Sequence, residues 1–309
     1  MGSPVRRHAF GAVVGVCAVL LSACGGGSSD GASDGSTSGG SGPVSVVAST
    51  NVYGDIAKQI GGDKVKITSI ISDPSQDPHS FEGNTQTQLE LSKAKVVIEN
   101  GGGYDDFVDT MLKTAKNPSA DVLNVVKISG KTAPAGGALN EHVWYDFPTM
   151  EKLADQLAGS LSKADPADGA LFTQNAAAFK AKLKPLEDKA AGVKSAHGGE
   201  PVAFTEPVPG YLLEACGLQD KTPTALSKAI EEGSDVSPRV LQDTIALFTA
   251  KKVKVLLYNE QTAGKETQAL DRAAKSNGVA VVPVTETLPS GKDYITWMSD
   301  NLNAIQAAL

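Results

Sequence analysis

The chain has 309 residues, 41% hydrophobic and 20% charged, with a formal net charge of −7, an ordinary composition for a soluble globular protein. Leaving out Arg6 and Arg7, 26 basic residues face 35 acidic ones, or −9; such a surface repels polyphosphate and excludes nucleic acid as a partner. Of Cys17, Cys24 and Cys216, two fall in the N-terminal segment, so the folded part has one thiol and no disulfide framework, and Cys216 reads as a small buried apolar residue.

Residues 1–23 read as an export signal. Arg6-Arg7 form a basic start, and Ala9 to Leu20 an apolar stretch too short to remain as a spanning anchor. Leu21-Ser22-Ala23-Cys24 resembles the bacterial lipobox, which implies a lipid on the Cys24 thiol; an ordinary secretory signal cut nearby is the alternative. Residues 24–43, rich in Gly and Ser, then form a flexible tether, so the chain is expected to be anchored to a membrane and not to span it.

From Val44 the pattern alternates. Strands are expected at 44–48, 65–71, 96–98 and 122–126, with helices at 52–60, 87–92 and 104–115 between them. A helix over 147–161 precedes a run from Ala167 to Ser195 with no strand signal, which Pro185 should kink or step. The alternation resumes with strands at 202–205, 253–258 and 279–284. Helices are expected at 211–216, 239–250, 265–276 and 293–309, with Ser237 capping the second of these. The expected fold is therefore α/β: two similar parallel-sheet lobes, 44–164 and 198–309, joined by a long rigid connector helix within 165–197, with a ligand cleft between them.

Four residues occupy comparable places just beyond strand ends. His79 lies in Asp77-Pro78-His79-Ser80-Phe81 and His142 in Asn140-Glu141-His142-Val143-Trp144; Glu206 and Glu286 follow two strands of the second half. In open α/β sheets, ligands gather outside the carboxyl ends of the strands. Two neutral imidazoles and two carboxylates would balance a divalent cation. Nitrogen and oxygen donors without thiolate fit Zn²⁺ in a tetrahedron, or Mn²⁺ if the carboxylates bind through both oxygens. From spacing alone, each residue equally suits a plain structural place: a loop histidine, a packed histidine, or carboxylates near helix starts. Asn259 and Gln261 stand beyond another strand end and are candidates to hydrogen-bond a ligand carboxylate. His197 reads as a cation at a helix C-terminus, and Glu231, Glu232 and Asp235 as a solvated acidic face.

These segments resemble the solute-binding proteins of zinc and manganese ABC transporters. Asp77-Pro78-His79-Ser80-Phe81 is similar to their first ligand motif. Asn140-Glu141-His142-Val143-Trp144 is similar to the second, with Glu141 where proline is usual. Glu206-Pro207-Val208-Pro209-Gly210-Tyr211 and Thr285-Glu286-Thr287-Leu288 match the third and fourth, with Glu286 where aspartate is usual. The resemblance implies a metal receptor outside the cytoplasmic membrane, anchored at Cys24, binding Zn²⁺ or Mn²⁺ through His79, His142, Glu206 and Glu286. It implies a monomer that serves a permease and its ATPase and is not an enzyme. The absence of histidine between Lys127 and Asn140, and a glutamate at 206, speak for Mn²⁺; the intrinsic order of metal affinities speaks for Zn²⁺. A surface adhesin, an extracellular metal buffer and a secreted metallohydrolase are the competing readings.

Overall fold

The structure, a computed structural model, describes residues 2, 42–73, 76, 81–135 and 137–309. Apart from residue 2, the expected signal segment lies outside the described residues, as do Cys24, the tether as far as residue 41, and His79.

The first half runs β1 (Val44–Thr50), α1 (Asn51–Gly61), β2 (Val65–Ile71), α2 (Thr85–Lys93), β3 (Val96–Glu99), α3 (Asp106–Ala115), β4 (Asp121–Asn124) and α4 (Val125–Ser129). Two helices follow, α5 (Phe147–Ala164) and α6 (Gly169–His197). The second half runs β5 (Pro201–Phe204), α7 (Gly210–Ala215), β6 (Gln219–Asp220), α8 (Thr224–Glu231), α9 (Pro238–Thr249), β7 (Val255–Asn259), α10 (Lys265–Ser276), β8 (Ala280–Val284) and α11 (Tyr294–Ala308).

Among the described residues every strand pairing is parallel, and the two sheets have the same order, β2-β1-β3-β4 and β6-β5-β7-β8. Central strands covered on both faces must be apolar throughout, and Val46, Val47 and Ala48 of β1 and Val255, Leu256 and Leu257 of β7 are all fully buried. The two-lobed parallel architecture is the one expected. Strand order reverses between β1 and β3, and again between β5 and β7, so each lobe has a crevice at the carboxyl ends of its central strands.

The helix α6 has 29 residues, a rod about 43 Å long at 1.5 Å per residue. Its buried stripe is Phe172, Ala176, Phe179, Leu183, Leu186, Ala190 and Val193, a spacing of four and three that lays one face along its neighbours. It packs on α1 and α5 from the first half and on α7 and α11 from the second. The helix runs through Pro185 as a single element. That proline is on the solvent side, where water can take up the carbonyl that its missing N–H leaves free.

One apolar core continues through both lobes, with Trp144, Tyr145, Tyr294 and Trp297 between them. Polar bonds fasten the lobes on this side. The Tyr294 hydroxyl donates to Trp144 O (2.6 Å) and the Tyr145 hydroxyl to Thr285 O (2.8 Å). The Asn51 amide donates to Leu288 O and accepts from Leu288 N, both at 2.9 Å.

Three local expectations need correcting. The expected strand 122–126 ends at Asn124, whose side chain accepts from Lys127 N (2.9 Å) and caps α4; an Asn before a short apolar run starts a helix as readily as it continues a strand. The sequence reading also passed over β6 and α8, a two-residue strand and a helix of eight, both too short to show a period. Glu231 ends α8 half-buried, not solvated, whereas Glu232 and Asp235 are exposed as expected.

Candidate metal centre

In the second lobe, strand order dictates the geometry. Glu206 follows β5 and Glu286 follows β8, and β7 runs between those strands. The last residue of β7, Asn259, therefore lies between the two carboxylates. Its Nδ2 donates to Glu206 Oε2 at 2.5 Å and to Glu286 Oε1 at 2.7 Å. Its Oδ1 accepts from Gln261 N (3.1 Å), which identifies the amide nitrogen, and its own N–H donates to Thr205 Oγ1 (2.9 Å). All three side chains are buried, with Asn259 at 0%, Glu286 at 1% and Glu206 at 2% exposure. Two carboxyls buried around one neutral amide form a donor pair whose ionised form a divalent cation would balance.

The next residues complete the cradle. Thr262 Oγ1 donates to Glu206 Oε2. Gln261 Oε1 accepts from Glu286 N (2.6 Å) and Thr287 N (3.0 Å), pinning the loop that carries Glu286. Gln261 Nε2 reaches across to Gln76 O (3.3 Å), in the segment just before the Asp77–Phe81 motif.

In the first lobe the corresponding strand, β3, is followed directly by an asparagine. Asn100 accepts from the Tyr53 hydroxyl and donates to Glu141 O (3.0 Å), so it holds the backbone beside His142. His142 is 1% exposed. Asn140 Oδ1 lies 2.8 Å from its Nδ1 and 3.1 Å from its backbone N. An amide oxygen can only accept, so Nδ1 is the donor in this contact and Nε2 the ring nitrogen suited to a metal. Asn140 in turn donates to Pro207 O (2.9 Å), and its carbonyl accepts from Tyr211 (2.6 Å). The His142 loop is thus tied to the loop carrying Glu206. The imidazole packs edge-on against Trp144 and Tyr104, with ring centroids 5.1 and 5.9 Å away. Burial first, and the charge of the Glu286 carboxylate second, hold the Tyr104 phenol well above the usual tyrosine range.

A second group of donors was not anticipated. Glu141, His142 and Glu231 each offer an atom within 4.8 Å of the others. The carboxyls of Glu141 and Glu231 lie close together, and burial, followed by the charges of neighbouring glutamates, pushes both up. Asn140, two residues before His142 and bonded to its N–H, could have been read in advance as a turn-forming side chain. Glu231 could not, because it is distant in sequence and its helix was missed.

Among the described residues, then, the structure brings Glu206, Glu286, Asn259 and Gln261 together, whereas His142 clusters with Glu141 and Glu231 and packs on Tyr104. His197 ends α6 and contacts Glu200 at 3.4 Å, away from this group.

The family model described as zinc-uptake complex component A, periplasmic, matches residues 46–308. The chain belongs to that family. Membership places it among the substrate-binding components of metal-uptake transporters. It is 28% identical over 243 residues to the manganese-binding lipoprotein MntA of Bacillus subtilis, covering 76% of this chain and 77% of that one. It is 24% identical over 315 residues to the manganese ABC transporter substrate-binding lipoprotein PsaA of Streptococcus pneumoniae, covering 96% and 97%. Among solved structures, the periplasmic zinc-binding protein TroA of Treponema pallidum superposes with a TM-score of 0.73 at 20% identity, over 87% of this chain and 99% of that one; at this identity the likeness shows the fold alone.

Proposed function

We propose that the chain is the extracytoplasmic receptor of an ABC importer and captures a divalent cation, Zn²⁺ or Mn²⁺, through Glu206, Glu286, His142 and His79. The observation that carries this reading is the shared amide of Asn259, which holds two buried carboxylates ready for a cation, beside a histidine whose Nδ1 is already committed to Asn140. The metal is cargo. Four protein ligands leave no open position for a substrate, so the reading assigns the chain no catalysis. The carboxylate share of the donor set inclines it to Mn²⁺.

The bonds from Asn51, Tyr145 and Tyr294 fasten the lobes on one side, so release to a permease and its ATPase would proceed by small tilts and loop shifts rather than by wide opening. No helix among the described residues is long and apolar enough to cross a membrane. Attachment through a lipid on Cys24, at the outer face of the cytoplasmic membrane, and action as a monomer complete the proposal.

The test is calorimetric. The metal-stripped protein is titrated with Zn²⁺ and with Mn²⁺ beside His79→Ala and Glu286→Gln variants. One tight site per chain, weakened at least a hundredfold in each variant, is expected. Absence of stoichiometric binding of either ion by the unaltered protein overturns the reading.

A further inference from the structure

The cluster of Glu141, His142 and Glu231 lies outside the four-ligand set, yet it shares one member with it. Its donor atoms lie within 4.8 Å of one another. Around a single cation with bonds of about 2.1 Å, donors lie at most ~4.2 Å apart, so a small rotation of either glutamate would close the cluster on an ion. Glu141 is 8% exposed and Glu231 half-buried. Two carboxyls meeting in such a place need a proton or a cation between them. In addition, Glu231 Oε1 is buried and has no hydrogen-bond partner among the described residues.

The position is that of an entrance. Glu231 lines two cavities. One, of about 600 Å³, is bounded by Leu139, Asn140, Pro207 and Lys228; the other, of about 300 Å³, by Asp235, Thr262 and Glu266. Both are open to solvent. Thr262 bonds Glu206, and Asn140 bonds His142, so each cavity also touches a residue that holds an inner ligand.

We propose that Glu141, Glu231 and His142 form an outer docking station for the incoming divalent cation. His142 keeps hold of the ion while Glu206 and Glu286 replace the two outer glutamates. The inference rests on the metal-receptor reading above. It assigns Glu231 and Glu141 a role in the rate of capture, and it gives a cation with a tightly held water shell carboxylates to exchange for water before it is enclosed.

The experiment uses the full chain, stripped of metal, with Mn²⁺ as probe. Rapid-mixing association rates are measured for the unaltered protein, Glu231→Gln, Glu141→Gln and, as a control for loss of one surface charge, Glu232→Gln. Mn²⁺ binding is also followed by electron paramagnetic resonance in a Glu206→Gln/Glu286→Gln protein, with and without Glu231→Gln. Two results are expected. Association slows on the order of tenfold in Glu231→Gln and in Glu141→Gln but less than twofold in Glu232→Gln. The doubly substituted protein still binds one Mn²⁺ weakly, and adding Glu231→Gln weakens that binding at least tenfold. Rates equal to that of the control, or residual binding insensitive to Glu231→Gln, overturn the docking station while leaving the receptor reading intact. Failure of the unaltered protein to bind Mn²⁺ or Zn²⁺ overturns both.

Discussion

Asn259 is the most informative residue to change, because one side chain holds both carboxylates of the second lobe. Asn259→Leu keeps the volume and removes the amide. The two bonds lost, at 2.5 and 2.7 Å, are donated to charged groups, and such bonds contribute about 1.5–3 kcal/mol each. The loss also leaves two neighbouring carboxylates buried beside an apolar side chain. The metal-free protein should therefore lose about 3 kcal/mol or more of unfolding free energy. Each carboxylate has a second oxygen with which to reach an ion, so the amide bonds can persist in the metal-bound form. The stability loss should accordingly appear with and without metal, and the change in affinity should reflect lost orientation alone, a weakening of roughly 10–100-fold. Urea denaturation with and without Mn²⁺ measures the first quantity, and competitive calorimetry the second. An affinity within twofold of the unaltered protein would refute the idea that Asn259 orients these ligands. So would a metal-free stability unchanged to within about 0.5 kcal/mol, a typical limit for substitutions away from such features.

Asn140→Ala should weaken metal binding by roughly 10–100-fold, because Nδ1 of His142 loses the acceptor that sets its tautomer; calorimetry checks it, and an unchanged affinity would mean that the tautomer needs no help. Asn51→Ala removes both side-chain bonds to Leu288, at about 1 kcal/mol net each, and should speed hydrogen exchange of the Leu288 amide with little effect on metal affinity. Metal-free protein should become less stable as pH rises above the ordinary carboxylate range: Glu141 and Glu231, pushed up by burial, bind more protons folded than unfolded, so stability present at low pH is lost on the way up. Melting curves across pH, with Glu231→Gln flattening the slope, test the sign. Pro185→Ala should stabilise the protein by up to about 3 kcal/mol, the usual penalty of an interior helix proline, with metal affinity unaltered; a destabilised variant would show that α6 needs the proline's geometry to seat both lobes.

Much of this architecture could be read from local pattern, since helix and strand periods depend on residues close together in the chain. The ends of α10, 265 and 276, match the expected ones, and α11 starts one residue after Asp293, whose side chain caps it by accepting from Thr296 N (2.7 Å). The elements that escaped are those with too little length for a period, β6 and α8, and the point where Asn124 turns a strand into α4. The candidate site divides along the same line. His142, Glu206 and Glu286 follow recognisable strand ends or motifs, so each could be singled out where it stands. What joins them could not. Asn259 touches Glu206 and Glu286 across 53 and 27 residues of sequence, and only the parallel order β5-β7-β8 makes those contacts. Glu231 faces Glu141 through an element with no sequence signal. The identity of candidate ligands is thus written locally, whereas their order, and any second set of donors around His142, comes from topology. A metal preference inferred from the four motif residues alone therefore omits Glu141 and Glu231, which cluster with His142, and the substitutions at those positions are where a departure from the four-ligand expectation would first appear.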